Sequence, residues 1–339
     1  MALSDVPEPR LEADGDAIVA VRRAAICGTD LHVTYGHAPG MEPGAVLGHE
    51  FTGTVVEVGR AVHRVKLGDE VMTSDFTACG HCWWCRSGRH WHCAERQFFG
   101  TGGVFGPVLP GGQAELVRVP HADVTLSALP AGLGPEAALL IGDNLATGWA
   151  ACKQAAVVPG SVVTVVGAGP VGQLASLAAQ VHGAAVVVVS DPLPERQALA
   201  TAHGAVATDP ETARAVVDSV SAGRGSDVVV EAVGHAFGLD AALDLVRPGG
   251  TVTSVSAHTD PGWQLPLARC FGAEIVLGFV IGNSLPLRDE LTALIGAGVL
   301  DPTFVVTGRG QLEDAPKRYH DMWQAREMKV MLQLGDDRG

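Results

Sequence analysis

Four cysteines within fifteen residues are the first group in this sequence that could carry chemistry. Cys79, Cys82, Cys85 and Cys93 follow the pattern C-x2-C-x2-C-x7-C. Four thiolates fill the tetrahedral shell of Zn²⁺ and leave no position for water or substrate, so we predict a structural zinc site that folds its own loop. An iron–sulfur cluster is the competing hypothesis, but no proline follows Cys93 and the last spacing is seven residues. Four ordinary reduced thiols are the remaining alternative.

A second group of metal-ligating residues is spread over a longer stretch of chain. Cys27 supplies a thiol, His49 an imidazole and Asp143 a carboxylate. Together they would leave the fourth position of zinc open for water or a substrate oxygen, as in a catalytic site. The spacing alone leaves two plainer alternatives open. His49 could be an ordinary buried polar residue, and Asp143 could cap a helix that begins near Thr147.

A glycine-rich motif, G-x-G-x-x-G, follows an apolar run and opens a helical segment. The glycines permit a tight turn and a close approach of the backbone to a pyrophosphate, which the helix N-terminus favours. An acid ends the next apolar run and can accept hydrogen bonds from the adenosine ribose, which favours NAD(H) over NADP(H). An ordinary strand–turn–helix is the alternative. The candidate cofactor contacts are Gly167, Gly169, Pro170, Val171, Gly172, Asp191, Arg196 and Val233.

The elements that must position these residues change character along the chain. Up to about residue 144, β-branched runs such as 16–22 and 52–58 end at turn residues or charges, which predicts an antiparallel sheet or small barrel. From about residue 145, apolar runs such as 161–166 and 184–189 alternate with helical stretches. This pattern predicts an α/β fold with a parallel sheet covered on both faces. From about residue 282 the pattern is helix, strand, helix, strand.

Composition excludes several classes of protein. The 339 residues are 47% hydrophobic and 18% charged, which is too apolar for a disordered chain. The net charge of −14 argues against nucleic acids and anionic membrane surfaces as partners. No apolar stretch is long enough without interruption to predict a transmembrane helix. The first residues do not resemble a signal peptide. We therefore expect a cytoplasmic protein with reduced thiols.

The motifs occur in an order that resembles a known family. Cys27-Gly-Thr-Asp-x-His32, Gly48-His-Glu-x-x-Gly53 and Gly68-Asp-x-Val71 precede the four-cysteine lobe, Asp143 and the glycine-rich motif. Over nearly the whole chain this set resembles the zinc-containing medium-chain dehydrogenase/reductase family, the alcohol dehydrogenase-like enzymes. The resemblance implies an N-terminal GroES-like β-barrel catalytic domain with the zinc lobe at 1–144. It also implies a Rossmann NAD-binding domain with a doubly wound sheet at 145–281 and a return to the catalytic domain at 282–339.

The resemblance also implies how the second metal group works. Cys27, His49 and Asp143 would hold a catalytic zinc, in the variant found in bacterial secondary-alcohol dehydrogenases and formaldehyde dehydrogenases. Glu50 would lie behind the ion, and Asp30 would orient His49, as metal-bound imidazoles usually require. The cofactors implied are therefore two zinc ions, one catalytic and one structural, together with NAD(H).

The remaining roles that the resemblance implies concern the proton and the cofactor. Thr29 would take the proton of the substrate, His32 would pass it to solvent, and Lys329 would lie near the cofactor phosphates. The function expected is reversible, NAD-linked oxidation of a secondary alcohol or polyol to the carbonyl. An aldehyde-oxidising relative of the formaldehyde dehydrogenases and an inactive NAD-binding protein are the alternatives. A homodimer or homotetramer is expected by analogy.

Overall fold

The computed structural model describes residues 1–36, 40–41, 43–258 and 262–335. Contacts between residues divide these into two compact units. The first unit contains Met1–Asp143 together with the described residues from Asn283 onward, and the second contains Asn144–Gly282.

The first unit is built on a seven-stranded sheet in the order β14-β15-β1-β2-β3-β7, with β6 also paired to β1. All of its pairs are antiparallel except that of β14 with β15. β4 and β5 form a separate two-stranded parallel sheet. The strands of this unit are β1 (Ala17–Ile26), β2 (Phe51–Val58), β3 (Glu70–Thr73), β4 (Phe98–Phe99), β5 (Val108–Leu109), β6 (Leu116–Val119), β7 (Leu126–Ala128), β14 (Gly308–Gln311) and β15 (Val330–Gln333).

Apolar side chains that alternate along these strands form the core of the first unit. Val19 and Val21 of β1 pack with Phe51 of β2, Val117 of β6 and Leu332 of β15. Several consecutive residues at the two ends of β1 are buried, so parts of this strand are covered on both faces. The helices of this unit are α1 (Gly28–Thr34), α2 (Trp83–Arg86), α3 (Ala122–Thr125), α4 (Pro135–Gly142), α11 (Ser284–Gly296) and α12 (Ala315–Trp323).

The second unit contains a six-stranded, wholly parallel sheet in the order β10-β9-β8-β11-β12-β13. In order of appearance this is 3-2-1-4-5-6, the doubly wound arrangement whose ligand crevice lies outside the carboxyl ends of β8 and β11. Every residue of β8 is buried, because helices cover both faces of such a sheet. The strands are β8 (Val162–Val166), β9 (Val186–Ser190), β10 (Val206–Thr208), β11 (Ser226–Glu231), β12 (Val246–Ser254) and β13 (Val276–Phe279).

Helices connect these strands and complete the fold. They are α5 (Asn144–Gln154), α6 (Pro170–Val181), α7 (Pro194–Ala202), α8 (Ala213–Ser221), α9 (Ala236–Leu245) and α10 (Leu267–Gly272). The α/β class, the parallel sheet and the helix–strand–helix–strand end predicted from the sequence are confirmed. Across the described part of the chain, every helix is too short or too polar to cross a lipid bilayer.

Candidate active site and zinc lobe

The first candidate ligand stands at the junction of a strand and a helix. β1 ends at Ile26, and Cys27 is the N-cap of α1. Asp30 accepts a hydrogen bond from the Cys27 N–H through Oδ2 at 2.9 Å, which satisfies a donor that the start of a helix leaves open. This bond fixes the backbone of Cys27. α1 then carries Thr29 and His32, both half-buried, three residues apart on one side of the helix.

His49 lies two residues before the start of β2 and is 1% exposed. Gly48 has a φ of +93°, and a Cβ there would lie 2.5 Å from Cγ of Gln113, so the approach to His49 requires glycine. Nδ1 of His49 lies 3.3 Å from Oδ1 of Asp30. Nε2 consequently faces Oδ2 of Asp143, 3.5 Å away. Asp30 therefore occupies the orienting position that a metal-bound imidazole needs.

Asp143 completes this group directly after α4. Its Oδ2 lies 3.6 Å from Sγ of Cys27 as well as 3.5 Å from Nε2 of His49. The ligand atoms of these three residues and Glu50 all lie within 4.8 Å of one another. Ligands at about 2.0–2.3 Å from one zinc ion stand roughly 3–4 Å apart, so the spacing suits a shared metal ion. The structure brings together the three ligands expected from the sequence, and the carboxylate of Asp143 faces the thiol and the imidazole.

Burial and mutual charge perturb the protonation of this group. Burial raises the pKa of the Cys27 thiol, and the charge of Glu50 raises it further. Burial by itself lowers the pKa of His49, but Asp30 and Cys27 outweigh it and the net pKa is well above its usual value. Burial opposes ionisation of Asp143, yet its bond to His49 holds its pKa well below the usual range. A buried thiol and carboxylates around one imidazole suit a bound dication, which would replace protons at these ligands.

A buried ion pair lies behind the candidate ligands. Glu50 is 1% exposed, and Lys329, directly before β15, is fully buried. Nζ of Lys329 contacts Oε2 of Glu50. Burial raises the pKa of Glu50 to about 7, although the charge of Lys329 opposes the shift. Burial lowers the pKa of Lys329, but attraction to Glu50 outweighs it and the net pKa is raised. Within the first unit Lys329 thus has a structural partner, and its expected position near the cofactor phosphates stays a prediction.

A second network, which the sequence analysis missed, supports Asp30. The Tyr319 hydroxyl donates to Oε1 of Gln113 at 2.7 Å. Nε2 of Gln113 then donates to the carbonyl oxygen of Ala25 at 3.0 Å and to Oδ2 of Asp30 at 3.4 Å. The amide therefore fixes the carboxylate that orients His49. A lone Gln and Tyr, more than two hundred residues apart in the chain, give no local signal of this role.

Aromatic rings form an apolar wall beside His49. The ring centroid of Phe98 lies 5.1 Å from that of His49 and 5.3 Å from that of Phe105. Phe99, by contrast, is fully buried and packs edge-on against Phe51 in the core. Phe98 is consequently the ring that contacts a candidate ligand, and Phe105 packs against Phe98.

The four-cysteine lobe has the geometry of a closed metal site. Sγ of Cys85 lies 3.5 Å from Sγ of Cys82 and 4.0 Å from Sγ of Cys79. The Cys79 N–H donates to Sγ of Cys93 at 3.4 Å, and all four sulfurs lie within 4.8 Å of one another. Thiolates at about 2.3 Å around a tetrahedral zinc stand roughly 3.8 Å apart, so this set fits the ion. All four thiols are free rather than disulfide-bonded.

The glycine-rich motif of the second unit connects β8 to α6. Gly167 has a φ of +94°, and a Cβ there would lie 2.8 Å from Cγ2 of Val233. A Cβ on Gly172 would lie 1.9 Å from the carbonyl oxygen of Gly167. Gly169, in contrast, has an ordinary φ of −67° and open space around its missing Cβ, just before Pro170 and Val171 at the start of α6. Apart from the two chain neighbours of Gly169, no atom of the described residues lies within 4 Å of that missing Cβ, so the space is open to a ligand such as a pyrophosphate.

The acid at the end of β9 holds this loop in place. Oδ2 of Asp191 accepts from the Ala168 N–H at 2.7 Å, and Oδ1 accepts from the Leu193 N–H at 2.9 Å. Nη1 of Arg196 lies 3.7 Å from Oδ2. Each carboxylate oxygen can accept more than one hydrogen bond, so Asp191 can serve the loop and a ribose hydroxyl together.

A second buried acid near the ligand crevice was also missed by the sequence analysis. Glu231 ends β11, is fully buried, and accepts from the N–H groups of Val233 and Gly234 at 2.8 and 2.7 Å. Its other oxygen accepts from the Ser254 hydroxyl at 2.6 Å and lies 3.3 Å from Nε2 of His258. Glu231 thereby fixes the backbone at Val233, and its place at the end of an apolar strand was the available signal.

Comparison with known proteins finds two family models that match this chain. Residues 13–130 match the family model of the alcohol dehydrogenase GroES-like domain, and residues 170–297 match that of the zinc-binding dehydrogenases. The probable zinc-binding alcohol dehydrogenase Rv1895 of Mycobacterium tuberculosis is 40% identical, over 92% of this chain and 80% of that protein. The glutathione-independent formaldehyde dehydrogenase of Pseudomonas aeruginosa is 38% identical, over 68% of this chain and 62% of that protein.

A solved structure extends the similarity to the fold. The alcohol dehydrogenase of Thermus sp. ATN1 is 38% identical, with a TM-score of 0.93 over 98% of this chain and 96% of that chain. Sequence motifs, family models and fold therefore agree over most of the chain. The protein belongs to the zinc-containing medium-chain dehydrogenase/reductase family, the alcohol dehydrogenase-like enzymes.

Proposed function

We propose that this protein is an NAD(H)-linked zinc alcohol dehydrogenase that reversibly oxidises a secondary alcohol or polyol to the carbonyl compound. The observation that carries the proposal is that the Cys27 thiol and the His49 imidazole both lie within 3.6 Å of one carboxylate oxygen, Oδ2 of Asp143. Three protein ligands leave one zinc position for the substrate, which distinguishes this group from the closed four-cysteine lobe.

Cys27, His49 and Asp143 would hold the catalytic zinc, with Asp30 orienting the imidazole. Bound zinc would lower the pKa of the alcohol hydroxyl, and NAD⁺ would accept the hydride. Glu50 lies behind the ligands, and its pairing with Lys329 gives the two buried residues no net charge together. The four-cysteine lobe would hold a second, structural zinc.

The proton of the alcohol would leave along α1. Thr29 would accept it at Oγ1, and His32, three residues further along the same helix, would pass it to solvent. Both side chains are half-buried, which suits groups that must reach a substrate on one side and water on the other. Phe98 and Phe105 would exclude water from the apolar part of the substrate.

NAD(H) is the cofactor that the second unit suits best. Gly167, Gly169 and Gly172 would cradle the pyrophosphate at the start of α6, with Pro170, Val171 and Val233 beside it. The carboxylate of Asp191 would accept from the adenosine ribose and would repel a 2′-phosphate. Arg196 offsets part of that charge at 3.7 Å. Titration with NADH and NADPH in parallel tests this preference, and tighter binding of NADPH would contradict it.

Metal analysis and a variant of Asp143 test the catalytic assignment. We expect two zinc ions per chain, and one ion with no turnover in Asp143→Ala, because the catalytic site loses a ligand while the four-cysteine lobe is unchanged. Glu57→Ala, which removes an exposed acid of β2, is the matched control and should keep both ions. One zinc per chain in the wild type would instead support an inactive NAD-binding protein.

Aldehyde oxidation is the second candidate. It is favoured by the carboxylate at 143 and by the 38% identity to the formaldehyde dehydrogenase of Pseudomonas aeruginosa. Following NADH absorbance with secondary alcohols, polyols and formaldehyde separates the two candidates. Turnover of formaldehyde alone would replace the first proposal by the second.

We also propose a homodimer formed through the edge of the parallel sheet. β13 pairs with β12 on one side only among the described strands. The exposed fractions are 88% for Phe271, 57% for Val276 and 57% for Phe279. A second copy related by a two-fold axis would cover both the unpaired backbone and these apolar side chains. The seven reduced thiols suit a cytoplasmic location, as expected from the sequence.

A further inference from the structure

The first unit contains a cavity of about 450 Å³ that the proposed reaction does not use. It lies beside β7 and the start of α11, on the side of the four-cysteine lobe. Its apolar wall includes Val124 and Leu285, which also pack against the four cysteines. Its polar wall includes Arg64, His90 and Arg288. None of these residues belongs to the candidate catalytic group, so the cavity is a separate feature.

Arg288 is the unusual member of this wall, because it is a buried charge without a counter-ion. It is 7% exposed, and its Nη2 donates to the carbonyl oxygen of Thr125 at 3.0 Å. Among the described residues, the carbonyl of Thr125 is the one hydrogen-bond acceptor of this guanidinium. No carboxylate of the described residues lies within ion-pair distance of it. Asp289, also in the cavity wall, makes no such pair with it. Buried guanidinium groups are normally paired, because a guanidinium has five N–H donors to satisfy.

A second guanidinium faces the same space. Arg64 is exposed, and its Nη1 donates to the carbonyl oxygen of Asp123 at 3.4 Å. The carboxylate of Asp123 is occupied by the N–H groups of His63 and Arg64, at 2.9 and 2.7 Å. The cavity wall therefore carries two guanidinium groups against the single carboxylate of Asp289.

The two arginines also influence each other electrostatically. Burial lowers the pKa of Arg288 to about 10; the charge of Asp289 opposes this shift, and the charge of Arg64, a smaller effect, adds to it. Arg288 stays protonated at neutral pH. Burial and the charge of Arg288 also lower the pKa of His90, which faces the cavity. The wall is a region of positive potential that no group of the described protein neutralises by an ion pair.

We propose that this cavity binds an oxyanion, the phosphate or carboxylate group of a small metabolite, between Arg288 and Arg64. Planar guanidinium groups donate two parallel hydrogen bonds to such groups, which suits Arg288 with its free donors. The volume exceeds that of an oxyanion alone and is in the range of small-molecule sites. Val124 and Leu285 would contact the apolar part of the metabolite.

Binding at this cavity has a predictable consequence for the four-cysteine lobe. Val124 and Leu285 contact both the cavity and the cysteine cluster. A ligand that binds only the folded form stabilises it, and the stabilisation grows with the logarithm of the ligand concentration once this exceeds the Kd. An anion in the cavity should therefore slow the loss of structural zinc to a chelator.

Calorimetric titration with inorganic phosphate and, separately, with acetate tests the proposal at matched ionic strength. We expect binding of at least one anion to the wild type, and weakening by roughly 10- to 100-fold in Arg288→Gln, because charged hydrogen bonds are lost. Arg288→Lys keeps the positive charge but cannot donate two parallel hydrogen bonds, so its affinity for the anion should be intermediate. Arg22→Gln, at an exposed arginine of β1, is the matched control and should bind as the wild type does.

Arg64→Glu keeps the experiment decisive if Arg288→Gln does not fold. This exposed substitution places a carboxylate beside Arg288, which should abolish anion binding in the cavity. Phosphate bound by the dinucleotide loop is common to all variants, so only the component lost in Arg64→Glu belongs to the cavity. No binding of either anion to the wild type, or equal affinity in wild type and Arg64→Glu, would overturn the proposal. Tighter binding of phosphate than of acetate would indicate that the natural ligand carries a phosphate group. Tighter binding of acetate would indicate a carboxylate group.

Discussion

Asp30 contacts two of the groups that prepare the candidate metal site. Its Oδ2 accepts from the Cys27 N–H at 2.9 Å, and its Oδ1 lies 3.3 Å from Nδ1 of His49. One carboxylate thereby fixes the backbone that carries the thiol and the ring that carries the imidazole donor. Gln113 restrains the same carboxylate from a third direction. The position of the ligands therefore depends on residues that would not touch the metal.

Asp30→Asn tests this dependence. The amide keeps the oxygen that caps α1 but removes the charge behind His49, so we expect the affinity of the catalytic zinc to fall about 10- to 100-fold. Chelator competition that follows the two zinc ions separately gives the measurement. The zinc of the four-cysteine lobe serves as an internal control. An unchanged affinity at the catalytic site would show that His49 is oriented by other contacts.

The pair of Glu50 and Lys329 allows a prediction about stability. Both residues are buried, so Lys329→Met leaves a carboxylate without its counter-ion and should lower the free energy of unfolding by about 3–5 kcal/mol. The double variant Glu50→Gln/Lys329→Met should recover most of that loss, because neither charge remains. Denaturant unfolding of the single and double variants measures the coupling. Additive losses would mean that the two side chains do not act as a pair.

At the scale of elements, the glycine-rich loop contains two glycines with different constraints. Gly172 allows α6 to approach the end of β8, since a Cβ there would lie 1.9 Å from the carbonyl oxygen of Gly167. Gly169 has no such neighbour. Packing within the protein therefore requires glycine at 172. At 169 we assign the need for glycine to the bound cofactor.

Gly169→Ala and Gly172→Ala form a matched pair. We expect Gly169→Ala to keep the melting temperature and weaken NADH binding, because its methyl group enters the space proposed for the pyrophosphate. Gly172→Ala should lower both, because α6 must shift. Thermal unfolding and fluorescence titration with NADH separate the two effects. Unchanged NADH affinity in Gly169→Ala would place the pyrophosphate elsewhere.

The start of α4 is tied to β14 by a two-pronged ion pair. Nε of Arg309 donates to Oε1 of Glu136 at 2.8 Å, and Nη2 donates to Oε2 at 2.7 Å. These bonds with Arg309 lower the pKa of Glu136. Because its pKa in the folded protein is below its unfolded value of about 4.3, the stabilisation is complete at neutral pH. It is lost as the pH falls through the folded pKa.

Glu136→Gln should therefore lower the free energy of unfolding at neutral pH by no more than about 1 kcal/mol, since the arginine is largely exposed. The difference from the wild type should disappear at acidic pH, where Glu136 is protonated in both states. Denaturant titrations at the two pH values give the comparison. Glu57→Gln, at an exposed acid of β2, should show neither effect.

At the scale of the whole molecule, the two edges of the parallel sheet differ in surface character. β13 and the neighbouring α10 carry the exposed apolar side chains, whereas β10 forms the opposite edge with Val206 at 42% exposure. Val276→Lys should shift the proposed dimer to monomer, because each copy would place a charge in the apolar interface. Val206→Lys is the matched control and should stay dimeric. Light scattering gives the molar mass of both variants in solution. A dimeric Val276→Lys variant would exclude the β13 edge as the dimer interface.

The sequence by itself determined the features that arise from neighbouring residues. Apolar runs separated by helical stretches predicted the parallel sheet, because strands buried on both faces carry few polar residues. The spacing of Cys79, Cys82, Cys85 and Cys93 predicted a single loop around one ion, since ligands a few residues apart must lie close together. The glycine-rich motif predicted its own strand–turn–helix for the same reason.

Only the tertiary structure decided which distant residues meet. Spacing alone left Cys27, His49 and Asp143 as three unrelated residues, and the family resemblance supplied their expected grouping. The fold then placed the thiol and the imidazole within 3.6 Å of Oδ2 of Asp143. The contact of Lys329 with Glu50 and the unpaired charge of Arg288 have no local pattern at all. Such contacts depend on how strands and helices far apart in the chain pack together. The periodicity of a segment predicts which of its residues are buried, but it does not predict which other segment packs against them.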